Sequence, residues 1–161
     1  MTIFGKKVSE YLSFQKYILL FILAVGLARL FLSLGGVPDS TTKWLSISVA
    51  SLIGVVYCAI RVHTAGFGSY KQLLPLVFFQ SVLAQGIVIA GIIIAILTQK
   101  DNVFSAPEYS GGSDGKNWVH VAAHLIVALI IGPLVGWLIA SILHFIVKKI
   151  APQNAAKGAR A

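Results

Sequence analysis

Four apolar runs dominate this chain, at residues 17–34, 44–62, 73–97 and 118–147. Each approaches or exceeds the roughly 20 residues that an α-helix needs to cross about 30 Å of hydrocarbon. None alternates between polar and apolar positions as the strands of a membrane barrel do. Composition agrees: 57% of the 161 residues are hydrophobic and 11% are charged, more apolar surface than a soluble domain of this length can hide. The expected fold is all-α, an integral membrane bundle of four transmembrane helices at about 17–34, 44–63, 73–98 and 118–148. These make one domain over 1–150, followed by a flexible cytoplasmic tail at 151–161.

The net charge of +8 would point to nucleic acid in a soluble protein, so its placement along the chain decides what it means. The N-terminus, the 61–72 connection and the C-terminus carry Lys6, Lys7, Lys16, Arg61, Lys71, Lys148, Lys149, Lys157 and Arg160, with Glu10 as their one acid. The other two connections carry Lys43, Lys100 and Lys116 against Asp39, Asp101, Glu108 and Asp114. By the positive-inside rule both termini are expected in the cytoplasm, an N-in/C-in topology. The basic rim would then meet anionic lipids at the cytoplasmic face of the bilayer, and nucleic acid is not an expected partner. A bacterial inner membrane is the expected location. The first apolar run is longer than a signal-peptide core and has no clear A-x-A site, so it is read as a span rather than a cleaved leader. Cys58 is the single cysteine, which excludes an internal disulfide or a dithiol relay within one chain.

Between the spans, Ile3, Phe4, Val8, Tyr11 and Leu12 recur at helical spacing among lysines, which predicts a short helix lying in the membrane interface over 3–15. Ser40 to Thr42 offer caps for the second helix, Asn117 for the fourth, and Pro75 is placed in the first turn of the third. The long connection at 98–117 is of a length that in compact proteins is often functional.

Stepping by four along the last run gives His120, His124, Ala128, Gly132, Gly136, Ala140 and His144, one ridge of small residues bounded by histidines. In lipid, helices associate by close backbone approach at such residues, so this ridge predicts a buried packing face. A matching ridge runs through Ser46, Ala50, Gly54 and Cys58, with Ala24 and Ala28 expected to serve the first helix and Gly86 and Ala90 the third. The same ridges could join protomers in a homo-oligomer or a larger membrane complex. Pro133 predicts a kink beside the glycines.

Polar residues inside the runs are candidates for function. Arg29 lies about 7 Å below the outer end of the first span at 1.5 Å per residue, a depth that matches His120 and His124 on the fourth. An inward guanidinium there could bind an anionic group or pair with Asp114 or Glu108 of the outer loop. His120 and His124, at i and i+4, can present two imidazoles to one metal ion. The motif lacks the glutamate of H-E-x-x-H, so zinc-protease chemistry is excluded. His63 and His144 approach the inner face on helices running the same way, a pairing that b-type haem would need. Gln80 and Gln85 read as hydrogen-bond partners between helices. No carboxylate lies in any apolar run, which disfavours a carboxylate-driven antiporter and a di-metal carboxylate bundle. Phosphate-binding and nucleophile-elbow motifs are absent from the sequence.

These residues predict a non-enzymatic binding or accessory subunit, whose outer vestibule of Arg29, His120, His124, Asp114 and Glu108 takes an anionic or metal ligand. Two alternatives stand beside it: a membrane redox protein holding haem or quinone through His63 and His144, and an oligomeric channel or transporter. A metal ion and haem b are the cofactors the histidines would suit, while hydrogen-bonded histidines without a cofactor are the default expectation.

Overall fold

A computed structural model describes residues 1–151, so the tail expected at 151–161 lies almost wholly outside the described residues. Among the described residues the chain is mainly helical, and four helical stretches are long and apolar enough to cross a membrane, as in a multi-pass membrane protein. They are α2 (Lys16–Leu34), α4 (Ile47–Thr64) preceded by the short α3 (Asp39–Thr42), α5 (Tyr70–Thr98), and a final stretch in which α6 (Trp118–Ile126) and α7 (Gly132–Ile150) are joined by a π-helical turn (Val127–Ile131).

Local chemistry sets the ends. The Ser46 hydroxyl caps α4 by accepting the Val49 N–H, and Asn117 Oδ1 caps α6 by accepting the His120 N–H at 2.8 Å. Ser69 and Gln72 form a capping box that starts α5 at Tyr70 rather than at 73. Pro75 therefore lies inside the helix instead of in its first turn, buried, with an apolar groove beside it. Pro133 would clash with the carbonyl four residues before it, and the π turn directly ahead widens the helix there, which relieves that contact.

The four spans form a diamond. α4 and α5 pack on each other, α2 lies against both on one side, and α7 lies against both on the other. α6 packs chiefly on α5, so the last stretch stands away from α4 at one end. The last ridge faces inward: its small residues Ala128, Gly136 and Ala140 are buried, and so is His144. A Cβ added at Gly136 would collide with Val77, and one at Gly132 with Ser81. Ala50, Gly54 and Cys58 of α4 are buried likewise, with Gln80 and Ile18 against Gly54.

The other two faces differ from expectation. In α2, Ala24 is exposed, and the inward line is Ile22, Gly26, Arg29 and Leu30, with Gly26 close against Ile47 and Ile87. In α5, Gly86 and Ala90 are exposed, and Ala84, Ile87, Val88 and Gly91 face the bundle. These helices carry small residues on more than one face, and spacing alone does not choose between them.

The N-terminal segment is also different. Thr2–Ile3 (β1) pairs antiparallel with Lys6–Lys7 (β2) around a turn at Phe4 and Gly5, whose φ values of 47° and 82° are those of a tight hairpin. Only Val8–Phe14 is helical (α1). It is docked rather than laid flat, because Tyr11 is fully buried, its hydroxyl donates to Ile3 O, and Phe14 stacks on Phe67. Both described ends of the chain thus sit at one end of the bundle, which we call the basic end. The opposite, loop end carries residues 99–117.

Candidate functional site: the loop-end vestibule

Where α6 stands off from α4, the loop end contains a cavity of about 250 Å³. Its walls are Arg29 of α2, Ser46, Ile47 and Ser48 at the start of α4, Gln85 and Val88 of α5, and His124 of α6, with Val103 and Phe104 of the loop over it. A second space, of about 360 Å³, runs on between α4, α5 and the last stretch, and shares Ile47, Ser48 and Gln85 with the first. Ser51 and Ser81 line its upper part, and Val55, Val77 and Ile139 its lower part.

The loop is held in place by its own polar side chains. Asn102, Val103, Phe104 and Ser105 are buried although they belong to a mostly polar connection. Asn102 donates to Gly91 O at 2.7 Å and accepts the Phe104 N–H at 2.9 Å, while Ser33 on α2 accepts the Val103 N–H at 2.8 Å. Gly115 passes so close to the Ser105 backbone that a Cβ there would collide with it. The apolar pair Val103-Phe104 between Asn and Ser was the signal in the sequence that this loop folds back onto the bundle.

Arg29 is 7% exposed, and its Nη2 lies 2.7 Å from Asp39 Oδ1, with Nη1 3.4 Å from Leu45 O. Its carboxylate is therefore one on the connection after its own helix, not Asp114 or Glu108. Asp114 is instead 3.1 Å from Lys116 Nζ, which also meets Asp101 at 2.6 Å. The Lys116 amide and ammonium hold the Asp114 carboxyl below its ordinary range, and Asp101 and Asp114 in turn raise Lys116. Glu108 lines a separate cavity of about 340 Å³ together with Asp39 and Asp101.

His120 and His124 do meet. Their rings are 4.8 Å apart between centroids, with Nε2 facing Nε2 at 3.1 Å. The other nitrogen of each is occupied: His120 Nδ1 lies 3.0 Å from Gly115 O, and His124 Nδ1 lies 2.7 Å from Gln85 Oε1. Gln85 thus links α5 to α6 as an amide partner between helices. Among the described residues no group of three or more His, Cys, Asp or Glu comes together as a metal site.

At the basic end His63 and His144 also approach, edge to face, with centroids 5.9 Å apart. His144 is almost fully buried, bonds Ala59 O at 3.0 Å through Nδ1, and packs edge-on to Tyr70. His63 Nε2 bonds Ala151 O at 3.0 Å. Each ring thus has one nitrogen on a main-chain carbonyl, His144 on that of Ala59 within α4 and His63 on that of the residue following α7. Deeper in the bundle, Gln80 donates to Gln15 Oε1 at 2.8 Å and to Cys58 Sγ at 3.2 Å, a buried polar contact between three helical segments. Gln15 had no place among the residues singled out by sequence, because it stands at the junction of α1 and α2 where no periodicity continues. Compared with protein-family models, curated proteins and solved structures, the chain matches none of them.

Proposed function

We propose that this chain is a multi-pass protein of a bacterial inner membrane with both ends in the cytoplasm, acting as a non-enzymatic binding or accessory subunit. Its ligand is an amphiphile with an anionic head, taken into the loop-end vestibule from the outer leaflet. The orientation rests on charge: Lys6, Lys7, Lys16, Arg61, Lys71, Lys148 and Lys149 gather at the basic end, while the lysines of the loop end are matched by acids.

The observation that carries the reading is the cavity bounded by Arg29, the first turn of α4, Gln85 and His124, continuous with the apolar groove between α4 and the last stretch. A guanidinium and a helix N-terminus both favour negative charge. Serine hydroxyls and an amide can orient a head group, and Val55, Val77 and Ile139 would receive a chain. Among the described residues no carboxylate lines this space, and its one histidine, His124, is turned through Nδ1 onto Gln85 rather than onto a serine hydroxyl, which supports binding rather than catalysis.

The test is thermal stabilisation of purified protein in a mild detergent, titrated with phosphatidylglycerol, phosphatidylcholine or inorganic phosphate. The anionic lipid is expected to raise the melting temperature, the zwitterionic lipid and phosphate alone much less, and Arg29→Gln to remove the difference. Equal shifts from both lipids in wild type and variant would refute the vestibule as an anion-selective site.

A further inference from the structure

We infer that His120 and His124 form a two-histidine site for a divalent transition-metal ion at the edge of the vestibule, oriented by Gly115 O and Gln85 Oε1. The argument is one of proton accounting. A main-chain carbonyl can only accept, so the 3.0 Å contact with Gly115 O places a proton on His120 Nδ1. The 2.7 Å contact with Gln85 Oε1 likewise places one on His124 Nδ1. A neutral imidazole carries one proton, so both Nε2 atoms are then bare, and they face each other at 3.1 Å. Two opposed lone pairs at that distance repel unless a cation lies against both.

The geometry suits a metal. At the usual metal to nitrogen distance of about 2.0–2.1 Å, a separation of 3.1 Å corresponds to a chelate angle of about 98°. That value lies between the right angle of tetragonal Cu²⁺ or Ni²⁺ and the wider angle of tetrahedral Zn²⁺. Metal-bound histidines almost always donate their other N–H to a carbonyl or carboxylate, which fixes tautomer and ring orientation. Both rings here have that arrangement. The Gly115 carbonyl is itself held by the close passage of Gly115 over Ser105. The remaining ligands would be water or an anion, since His124 borders the open cavity.

This inference shares His124 and Gln85 with the vestibule wall but not its charge: it concerns the Nε2 side of the histidine pair, whereas Arg29 and the start of α4 supply the attraction for an anion. Tag-free protein in detergent, stripped with chelator, is dialysed against Zn²⁺, Cu²⁺ or Ni²⁺ in turn, and bound metal is counted by mass spectrometry. One ion per chain is expected. It should be lost in His120→Gln and His124→Gln, weakened about 10–100-fold in Gln85→Leu, and retained in His63→Ala. Should His124→Gln fail to fold, His120→Gln, at the half-exposed start of α6, tests the same pair, with metal-free melting as the check of its fold. Absence of stoichiometric metal at micromolar concentrations would overturn the site, because the pair would then be sharing a proton or bonding to a rotated Gln85 amide. Binding that survives His120→Gln would overturn it equally.

Discussion

Arg29 Nη2 and Asp39 Oδ1 meet at 2.7 Å across the turn that ends α2, but they are unequally wet: the arginine side chain is 9% exposed and the aspartate 41%. Removing one partner is therefore not equivalent to removing the other. Asp39→Ala takes this carboxylate from a guanidinium that stays buried at the cavity wall and should destabilise by about 1–3 kcal/mol. Arg29→Met leaves a carboxylate that water can solvate and should cost less, under about 1 kcal/mol. Unfolding of the two variants in the same mixed micelles measures this, and equal losses would contradict the asymmetry.

The inward ridge of the last stretch should be intolerant of added volume. A Cβ at Gly136 already meets Val77 Cγ1, so Gly136→Val is expected to cost about 1–3 kcal/mol through overpacking. Ala122→Val, on the exposed side of α6, should stay within about 0.5 kcal/mol. Melting temperatures of both variants measure the difference, and reversal of their order would place the ridge on the wrong face.

Cys58 is fully buried between Gln80 and Gln15. It should resist maleimide in the folded protein and label readily once unfolded in SDS. Rapid labelling in mild detergent would mean that the α1 segment opens away from the bundle.

Acidification should loosen the loop at Lys116 before it affects the helices. The Asp114 carboxyl is held below its ordinary value of 3.8 by the Lys116 amide and ammonium, and a carboxylate with a lowered folded pKa stabilises above its unfolded pKa. The contribution begins to fade as pH falls past the ordinary value and is gone below the folded one. Hydrogen exchange at the Lys116 amide, followed downward from about pH 5, where that carboxylate is still ionised in both states, should show protection decreasing in that window in wild type and being weak throughout in Asp114→Asn.

Span number and the buried side of the last span were legible because each depends on residues close in sequence: apolar length sets the first, and glycine and alanine at four-residue steps set the second. Asn117 as a cap and the meeting of His120 with His124 are local for the same reason, since i and i+4 are neighbours on any helix. Other features depended on partners that spacing does not reveal. Phe4-Gly5 turns a hairpin where an interfacial helix was expected. Gly26 rather than Ala24 and Ala28 lies at the α2 contact, and Gly91 rather than Gly86 and Ala90 at the α5 contact. Each of these helices offers small residues on several faces, and the side that is buried depends on where its neighbours stand.

The amino-acid sequence by itself determined the apolar lengths, the uneven distribution of charge and the inward stripe of the last helix, because these are properties of neighbouring residues and of the roughly 3.6-residue repeat. Only the tertiary structure decided that Arg29 pairs with Asp39, that Gln85 reaches His124, and that Val103 and Phe104 cover the space between them. The physical reason is reach: a side-chain hydrogen bond spans about 3 Å, and which polar groups come within it follows from how far α6 stands from α4, a distance that no single segment encodes.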